Sequence, residues 1–465
     1  MNLTYDVEIW SIRARKNRPK PYELRWRVGA RPHSKSFRLK PQAEGRRSEL
    51  MEALRRRERF DVDSGLPESE VRDLQSPTWF DHACAYAAMK WPRASAKHRA
   101  SIADALATVT PKLVRDNRGA PDPRVLRDAL YQWAFRFQAT EDGELKPRRE
   151  VEDAPEAIAQ ALDWVSKKSV RVRDLASPKV LRPALDALLV KMNGEAAAPN
   201  TVRRKYPVFT NALRYAVEQE LLDALPVTRV DWKPPQTDEA VDFRYVPNRR
   251  QADVLLSAVD QQGRRGHHLR AFFACIYYAG MRPAEVADLK AVDCHLPGKG
   301  WGELVLSGSR PGIASGWTDS GKPYDERGLK RRARRTTRPV PVPPVLVTLL
   351  QDHLAEFGTA ADGRVFRAAR GGPVRSNEYC AIWDAARRKA LSAAEEASPL
   401  TDVPYSLRHA CISLWLHAGV SPTEAARRAG QSVEVLYRVY AKVLHGLQDR
   451  SNDLIDKVLE EEPPG

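Results

Sequence analysis

The residues best suited to chemistry in this chain of 465 residues are two arginines and a tyrosine. Arg282 stands in the corner 280–283, Arg408 in the segment 405–409, and Tyr440 late in a short predicted helix after the glycine-bounded turn 430–432. A guanidinium is a permanently charged fork of hydrogen-bond donors that fits phosphate oxygens, and an activated phenol can act as a nucleophile. These residue types could together promote attack on a phosphodiester.

The corner around Arg282 joins two predicted helices, 270–279 and 284–290. Gly280 suits the left-handed position that ends a helix, and Pro283 suits the first turn of the next one. Glu285 follows three residues after Arg282, close enough to orient its guanidinium. An ordinary ion pair at a helix corner is the alternative interpretation.

Two predicted strands, 303–306 and 337–342, enclose a long basic hairpin. Phosphate contact or disorder usually explains such a run of cations; it comprises Arg327, Lys330, Arg331, Arg332, Arg334 and Arg335. The stretch 316–322 fits the start of a nucleotide-binding phosphate loop, but Pro323 stands where that motif needs Ser or Thr and a helix. ATP use is therefore not expected.

The last quarter of the chain is predicted to be helical, with helices at 376–391 and 407–417. The segment 421–424 predicts the start of another helix, whose alanines favour packing over a base-reading role. Tyr440 belongs to an apolar stripe with Val433, Leu436 and Tyr437, which is typical of a core face. We expect Tyr437 to be the buried member and Tyr440 to point to the site.

The first 70 residues are predicted to form a three-stranded sheet followed by a helix at about 42–57. Alternating apolar residues mark the strands around 5–9, 22–28 and 37–39. One face is expected to be basic and to bind DNA; its residues are Arg13, Arg15, Lys16, Arg25, Arg27 and Lys35. A solvated outer face is the alternative.

Four further segments complete the predicted domain organisation. Residues 76–226 form an all-α domain whose last helix, 201–222, brings Arg203 and Arg204 to its first turn, where they could bind phosphate. A proline-rich linker follows at 227–245, then a third domain at 246–447 and a tail at 448–465.

Composition indicates a polyanionic partner. The formal charge is +16 and the pI near 9.6, which favours DNA or RNA over an acidic membrane surface. The five cysteines are scattered and form no Cys-x-x-Cys pair, so neither disulfides nor a zinc site is expected. No signal peptide or membrane span is indicated, and a cytoplasmic, nucleoid-associated location is expected.

Taken in order, these segments resemble the boxes of the tyrosine recombinases, the phage integrase family. The matching parts are 279–285 around Arg282, Lys330 before the stretch 338–344, 405–409 around Arg408, 430–432, and Tyr440, which follows Arg408 by 32 positions and Gln431 by 9. The resemblance covers 246–447, extends to a core-binding domain at 76–226, and is weaker for an arm-site-binding domain at 1–70. It implies a mainly α multidomain fold with small β elements and an α+β catalytic domain.

The resemblance also implies roles for these residues. Tyr440 would attack a DNA phosphodiester to form a 3′-phosphotyrosyl bond, Arg282 and Arg408 would stabilise the phosphorane, and Lys330, or else Lys322, would protonate the leaving 5′-oxygen. The covalent bond stores the energy of the broken link, so no metal, ATP or other cofactor is expected. Tyr405 and Gln431 fill the other catalytic positions, Glu285 and His409 support them, and Arg331 and Arg332 join the DNA contacts.

Two positions depart from the family pattern. Tyr405 stands where histidine is most common and Gln431 where histidine or tryptophan is usual; a phenol is a poor base and an amide cannot carry a proton. The expected function is site-specific recombination that integrates or excises a mobile element. A catalytically silent DNA-binding descendant and a type IB-like topoisomerase are the alternatives.

The resemblance also implies partners. Double-stranded attachment sites would be bound by a homotetramer on synapsed DNA, formed from chains that could be monomers in solution. Accessory DNA-bending or directionality proteins could assist. The tail could dock on a neighbouring protomer or cap its own domain.

Overall fold

The computed structural model describes residues 2–15, 17–237, 240–329 and 336–445, together with Asn452, Ile455, Asp456 and Leu459. The chain divides into two compact units, Met1–Gln236 and Thr237–Gly465. The point of division lies inside the predicted linker 227–245, whereas the finer domain boundaries stay predictions. Four residues expected at the DNA or the active site, Lys16, Lys330, Arg331 and Arg332, lie outside the described residues.

The first unit begins with short antiparallel strands. They are β1 (Leu3–Thr4), β2 (Val7–Ile9), β3 (Arg13–Ala14), β4 (Tyr22–Val28), β5 (Arg31–Phe37) and β6 (Phe60–Asp61). β4 pairs with β2, β3 and β5, and β1 pairs with β6. The prediction of three strands was wrong, because β3 has only two residues and β5 has almost no apolar alternation to signal it.

A helix closes this sheet on one side. Helix α1 (Lys40–Arg55) buries Leu50 and Ala53 against Leu24, Trp26 and Val28 of β4. Because side chains alternate across a strand, Arg25 and Arg27 lie on the opposite face of β4.

The rest of the first unit is mainly helical. Its helices are α2 (Glu68–Gln75), α3 (Trp79–Lys90), α4 (Ala96–Val109), α5 (Pro123–Asp128), α6 (Glu156–Lys168), α7 (Pro178–Asp186) and α8 (Pro199–Glu218). The prediction of an all-α domain was wrong at one place, since β7 (Phe137–Ala139) and β8 (Leu145–Pro147) form a hairpin. Its turn uses Gly143 at φ +78°, a conformation glycine adopts readily.

The second unit combines helices with a small sheet. Its strands are β9 (Cys294–His295), β10 (Gly302–Leu306), β11 (Gly308–Ser309), β12 (Arg327–Gly328) and β13 (Arg338–Val342). Its helices are α9 (Arg249–Asp260), α10 (Gly263–Ala279), α11 (Pro283–Val286), α12 (Pro344–Phe357), α13 (Ser376–Ala390), α14 (Ala393–Ala397), α15 (Ser406–His417), α16 (Pro422–Ala429) and α17 (Val433–His445). The antiparallel sheet has the order β13-β10-β9, and its core includes Phe272, Phe273, Leu304, Val340 and Trp383.

Between β10 and β13 the chain makes a folded excursion, residues 307–329. Strands β11 and β12 pair through Gly308 with Gly328 and Ser309 with Arg327, and Trp317 is buried beyond them. Lys322 is exposed, and no helix begins among the described residues 323–329 that follow it.

A second apolar cluster joins the last three helices. Ala425, Ala426 and Ala429 of α16 pack with Trp415 of α15 and Leu436 of α17, which confirms the packing interpretation of α16. Among the described residues, no helix is both long and apolar enough to cross a membrane.

Candidate active site

Arg282 is held in the corner between α10 and α11 as the sequence predicts. Gly280 ends α10 at φ +58°, and Pro283 is the first residue of α11. The backbone N–H of Arg282 donates to Oε2 of Glu285 at 2.9 Å, and its Nη1 donates to Oε1 at 2.8 Å. Glu285 therefore fixes both the backbone and the guanidinium of Arg282.

A third arginine, which the sequence analysis missed, holds Glu285 from the other side. Arg338 is 1% exposed, and its Nη1 and Nη2 donate to the two carboxylate oxygens of Glu285 at 3.1 and 2.8 Å. Burial opposes ionisation of Glu285, but the charges of Arg338 and Arg282 outweigh it and lower its pKa to about 2. The sequence did contain a sign of this role: in the predicted strand, Arg338 alternates with Val340 and Val342, so a charged side chain lies on the buried side of the strand.

The end of α16 brings the arginine segments together. Nη2 of Arg282 donates to the carbonyl of Gly430 at 3.0 Å, and Nη2 of Arg408 donates to that of Ala429 at 2.6 Å. Nη1 of Arg408 donates to the carbonyl of Gly280. Gly430 has φ +62°, a backbone conformation that favours glycine, and a Cβ there would collide with the Arg338 guanidinium. Both the backbone conformation and the lack of space therefore require glycine at this position.

The hydroxyl of Tyr440 lies 2.8 Å from Nδ1 of His409. Tyr440 is 1% exposed and packs with Cys411, Ile412 and Leu436, whereas Tyr437 is 52% exposed. The prediction that Tyr437 would be the buried member was therefore wrong. The backbone of Tyr440 is non-helical, with φ −112° and ψ 21°, so helical periodicity does not apply across it.

Burial sets the protonation states of this pair. It raises the pKa of the Tyr440 phenol well above its usual range, although the charge of Arg408 partly opposes this. Burial, followed by repulsion from Arg408, lowers the pKa of His409 to about 4. At neutral pH the phenol is protonated and the imidazole is neutral. With its own proton on Nε2, His409 accepts the hydrogen bond from Tyr440 at Nδ1.

Tyr405 borders the same group, and Gln431 directly follows Gly430 in the chain. The Tyr405 ring lies edge-on to His409, with centroids 5.2 Å apart, and its centroid is 5.9 Å from the guanidinium carbon of Arg408. The Nε2 of Gln431 is buried and has no hydrogen-bond partner among the described residues. An unsatisfied buried donor is costly, so a ligand oxygen that accepted from it would be stabilised.

Lys322, the second choice for the leaving-group acid, lies in the excursion. It is exposed, and its Nζ is 4.0 Å from Oε1 of Glu326. Lys330, the first choice, follows directly after buried Leu329 but lies outside the described residues.

The basic face of the N-terminal sheet is partly neutralised. Arg13 and Arg25 are exposed, and Arg25 also stacks on Trp10. By contrast, Arg15 pairs with Glu23 at 2.6 Å, and Arg27 contacts Asp6 at 3.0 Å and Glu8 at 3.6 Å.

One residue assigned to that face lies on the other. Lys35 pairs directly with Leu24, and opposite residues of antiparallel strands project to the same side. Lys35 therefore shares the apolar side of the sheet, near its edge, where its Nζ is 5.8 Å from the Phe37 ring centroid.

The two arginines of the long helix α8 lie further from its start than predicted. The helix begins at Pro199, which moves Arg203 and Arg204 beyond its first turn. Both are exposed, and Arg204 contacts Asp104 at 3.2 Å and Ser101 at 3.3 Å. A role at the helix N-terminus is therefore not supported for either arginine, whereas DNA contact stays a prediction.

Neither a family model nor a curated protein matches this chain. Among solved structures, it is similar to the Tn1549 transposon integrase in complex with a circular intermediate DNA, at 15% identity and TM-score 0.49, covering 67% of this chain and 96% of that one. It is also similar to the XerH site-specific recombinase bound to its difH substrate (11% identity, TM-score 0.42, 78% and 96% covered). The third is lambda integrase bound to DNA (11% identity, TM-score 0.37, 61% and 88% covered).

All three solved structures are integrases or site-specific recombinases. At such low identities and TM-scores, an activity has to be argued from the residues of this chain. Those residues are two arginines, a histidine and a tyrosine, of which Arg408 and Tyr440 are buried and Arg282 and His409 are half-buried.

Proposed function

We propose that this chain is a site-specific DNA recombinase that cleaves and rejoins DNA through a 3′-phosphotyrosyl intermediate. The convergence of Arg282, Arg408 and Tyr440 carries this proposal. The two arginines donate to successive carbonyls at the end of α16, and the charges of both act on the Tyr440 phenol. Three segments far apart in sequence thus supply two fixed cations and one potential nucleophile.

The substrate phosphate would bind to donors that are already in place. Arg282 and Arg408 would supply forked, permanently charged donors to the phosphorane, and Nε2 of Gln431 would supply a third, neutral donor. Gln431 thereby keeps the donor function of a histidine at its position without the proton-carrying function. Arg408 and Tyr440 are each 1% exposed, so groups around them must move before a phosphate can reach them.

His409 would take the role of base that Tyr405 cannot perform. As Oη of Tyr440 forms its bond to phosphorus, its proton would pass to Nδ1 of His409. The bond between phosphorus and the 5′-oxygen would break, and Lys330 would give that oxygen a proton. The reverse sequence, with a 5′-hydroxyl attacking the phosphotyrosine, would rejoin the strand.

The biological setting belongs to the same proposal. Integration or excision of a mobile element would require a homotetramer on two synapsed attachment sites. The exposed arginines of the N-terminal sheet, in particular Arg25, would bind separate arm sites. Accessory proteins would bend the DNA or set the direction.

The test is covalent trapping. Duplexes taken from the junctions of the element, recognisable by direct repeats beside the gene, are nicked near the cleavage position so that the short product escapes and the adduct accumulates. Wild type should form a protein–DNA adduct that survives denaturation, and Tyr440→Phe should form none.

Two lysine variants sharpen this test. Lys330→Ala should be defective on ordinary DNA and should recover on a 5′-bridging phosphorothiolate, whose thiol leaving group needs no acid. Lys322→Ala serves as the matched control and should behave like wild type. Failure of wild type to form an adduct, or an adduct with Tyr440→Phe, contradicts the proposed mechanism.

A further inference from the structure

A short segment near the start of the second unit, residues 241–246, contacts the helix that carries Tyr440. The backbone N–H of Val241 donates to the carbonyl of Val439 at 2.9 Å. The Val241 side chain is buried in the apolar cluster that contains Tyr440, and Phe243 packs against the same cluster. This segment, which we call the strap, therefore fixes the chain beside the candidate nucleophile through both backbone and side-chain contacts.

The backbone contact lies at the point where α17 departs from helical geometry. Tyr440, the residue after Val439, has φ −112° and ψ 21°. Such breaks usually arise at proline or glycine, or where an outside group inserts into the helical hydrogen bonds. The sequence of α17 contains neither proline nor glycine, whereas the N–H of Val241 is a donor from outside the helix. The strap thus supplies a physical cause for the break that the residues of α17 do not.

The break bears on which tyrosine of α17 is turned inward. Tyr437 and Tyr440 are three residues apart, so a regular helix would place them on neighbouring parts of one face. Instead, Tyr437 is exposed, while Tyr440 is buried and its hydroxyl lies 2.8 Å from Nδ1 of His409. The direction of the Tyr440 side chain therefore depends on the irregular backbone beside Val241.

The strap also contacts the segment that leads to His409. The carbonyl of Tyr245 accepts from the backbone N–H of Thr401 at 3.0 Å. Thr401 is buried and has φ +54°, a left-handed conformation that is costly for a β-branched residue and persists only when neighbours hold it. Nε1 of Trp383 also holds this residue, by donating to the Thr401 carbonyl at 2.8 Å. One short segment thus contacts the chain before His409 and the chain beside Tyr440.

We propose that the strap is a positioning segment for the candidate nucleophile: the Val241 N–H maintains the break in α17 and thereby turns Tyr440 toward His409. This inference rests on the proposed function, because it gives Tyr440 the role of nucleophile. Val241 acts through the backbone of α17 and has no contact with the substrate in this proposal.

The test separates the backbone donor of Val241 from its side chain. Val241→Pro removes the N–H. Replacement of Val241 by its α-hydroxy acid puts an ester oxygen in place of the N–H and keeps the side chain, so it repeats the change if the proline ring prevents folding. Val241→Ala is the matched control, because it keeps the N–H and removes only part of the apolar contact. The first two are called the donorless variants.

Acetylation of tyrosine by N-acetylimidazole measures the direction of Tyr440 without DNA. Arg438 lies between the two tyrosines, so trypsin places Tyr437 and Tyr440 in separate peptides, 429–438 and 439–442. In wild type, Tyr437 should react and Tyr440 should be protected. The donorless variants should acetylate Tyr440 faster by about tenfold or more, the factor expected when one buried hydrogen bond is lost, while Tyr437 keeps its rate. The alanine variant should stay within about threefold of wild type, a margin set well below that change.

Adduct formation then connects this geometry with the proposed chemistry. The donorless variants should form the adduct about tenfold to 100-fold more slowly at saturating DNA, because a misplaced nucleophile rarely reaches the attacking geometry. The DNA concentration that gives the half-maximal rate should stay as in wild type. The loss should be equal on ordinary DNA and on the 5′-bridging phosphorothiolate, since a better leaving group does not reposition the nucleophile. His409→Gln should cost less in the Val241→Pro background than in wild type, because the contact it removes is already lost.

The outcomes are distinguishable. Protection of Tyr440 in the donorless variants, or equal acetylation of Tyr440 in Val241→Ala, overturns the role of the N–H whatever the chemistry. Unchanged adduct formation by the donorless variants, or their rescue on the phosphorothiolate, overturns the positioning role alone. Absence of any wild-type adduct overturns the proposed function, and the acetylation result still decides whether the strap turns Tyr440 inward.

Discussion

Nδ1 of His409 and the hydroxyl of Tyr440 are 2.8 Å apart; Tyr440 is buried and His409 is half-buried. The contact joins the residue after Arg408 to the only non-helical position inside α17 as described. It gives the candidate nucleophile a neutral acceptor on a helix that also supplies one of the two arginines. In the proposed mechanism, His409 takes the role that histidine at position 405 would otherwise have.

Replacement of His409 tests this relationship. His409→Gln keeps a hydrogen-bonding group but removes the base, and adduct formation should slow by about 100-fold or more, in line with the usual contribution of general base catalysis. DNA affinity, measured at a stated salt concentration, should stay unchanged. Tyr437→Phe is the control, because Tyr437 is exposed and has no assigned role in the proposed mechanism. An unaltered cleavage rate for His409→Gln would remove the histidine from the mechanism.

We expect the main effect of replacing Arg338 to be a loss of folding stability. Arg338→Met leaves the ionised, buried carboxylate of Glu285 with only Arg282 as partner, so the free energy of unfolding should fall by about 3–5 kcal/mol. Chemical denaturation measures this loss. Arg427→Met, which breaks the more exposed pair with Glu424, should cost about 1 kcal/mol or less. Similar losses in the free energy of unfolding for the two variants would show that the buried ion pair contributes no more to stability than the exposed one.

Two buried histidines predict a sensitivity to mild acid. Burial lowers the pKa of His268 to about 3 and that of His353 to about 4, with further lowering at His268 by His353, Arg265 and Arg367. Unfolded histidine has a pKa of about 6.5, so the unfolded chain binds more protons between about pH 6.5 and 4. Stability must therefore fall as the pH drops through that window, by up to about 1.4 kcal/mol per pH unit for each group.

The free energy of unfolding at pH 7 and pH 5 gives the measurement. His353→Gln, whose amide can still donate to the carbonyl of Val365, should reduce the pH dependence. His295→Gln, at an exposed position, should leave it as in wild type. A dependence equal in all three proteins would place its origin elsewhere.

The N-terminal sheet predicts an unequal contribution of its cations to DNA binding. Arg25 is exposed and carries no carboxylate contact among the described residues, whereas Arg27 contacts Asp6 and Glu8. Arg25→Ala should therefore reduce the slope of log affinity against log salt by about 0.9, the value for one phosphate contact, and Arg27→Ala by less. Lys35→Ala, on the other side of the sheet, is the control. Equal slopes for wild type and Arg25→Ala would favour the alternative, that this face of the sheet is solvated and does not bind DNA.

The parts of the site that depend on contacts within a few residues of the chain could be predicted from the sequence. Gly280 and Pro283 predict the corner that holds Arg282, because a left-handed glycine ends one helix and a proline without an N–H begins the next. Glu285 at a spacing of three residues predicts the contact with Arg282. The capping residues and alanines of α16 likewise predict a packed helix. In each case the physical cause acts within a few residues.

Only the tertiary structure could decide the contacts that join distant segments. Arg338 reaches Glu285 across 53 positions, and its role depends on a strand register and on the bare backbone of Gly430. Tyr440 rather than Tyr437 is buried because the backbone of α17 departs from helical geometry at Tyr440, which periodicity cannot anticipate. The side of the sheet taken by Lys35 follows from pairing with Leu24, and pairing is a property of two strands together. The sequence by itself determined the residue types and their order, whereas packing between distant segments decided which of them meet.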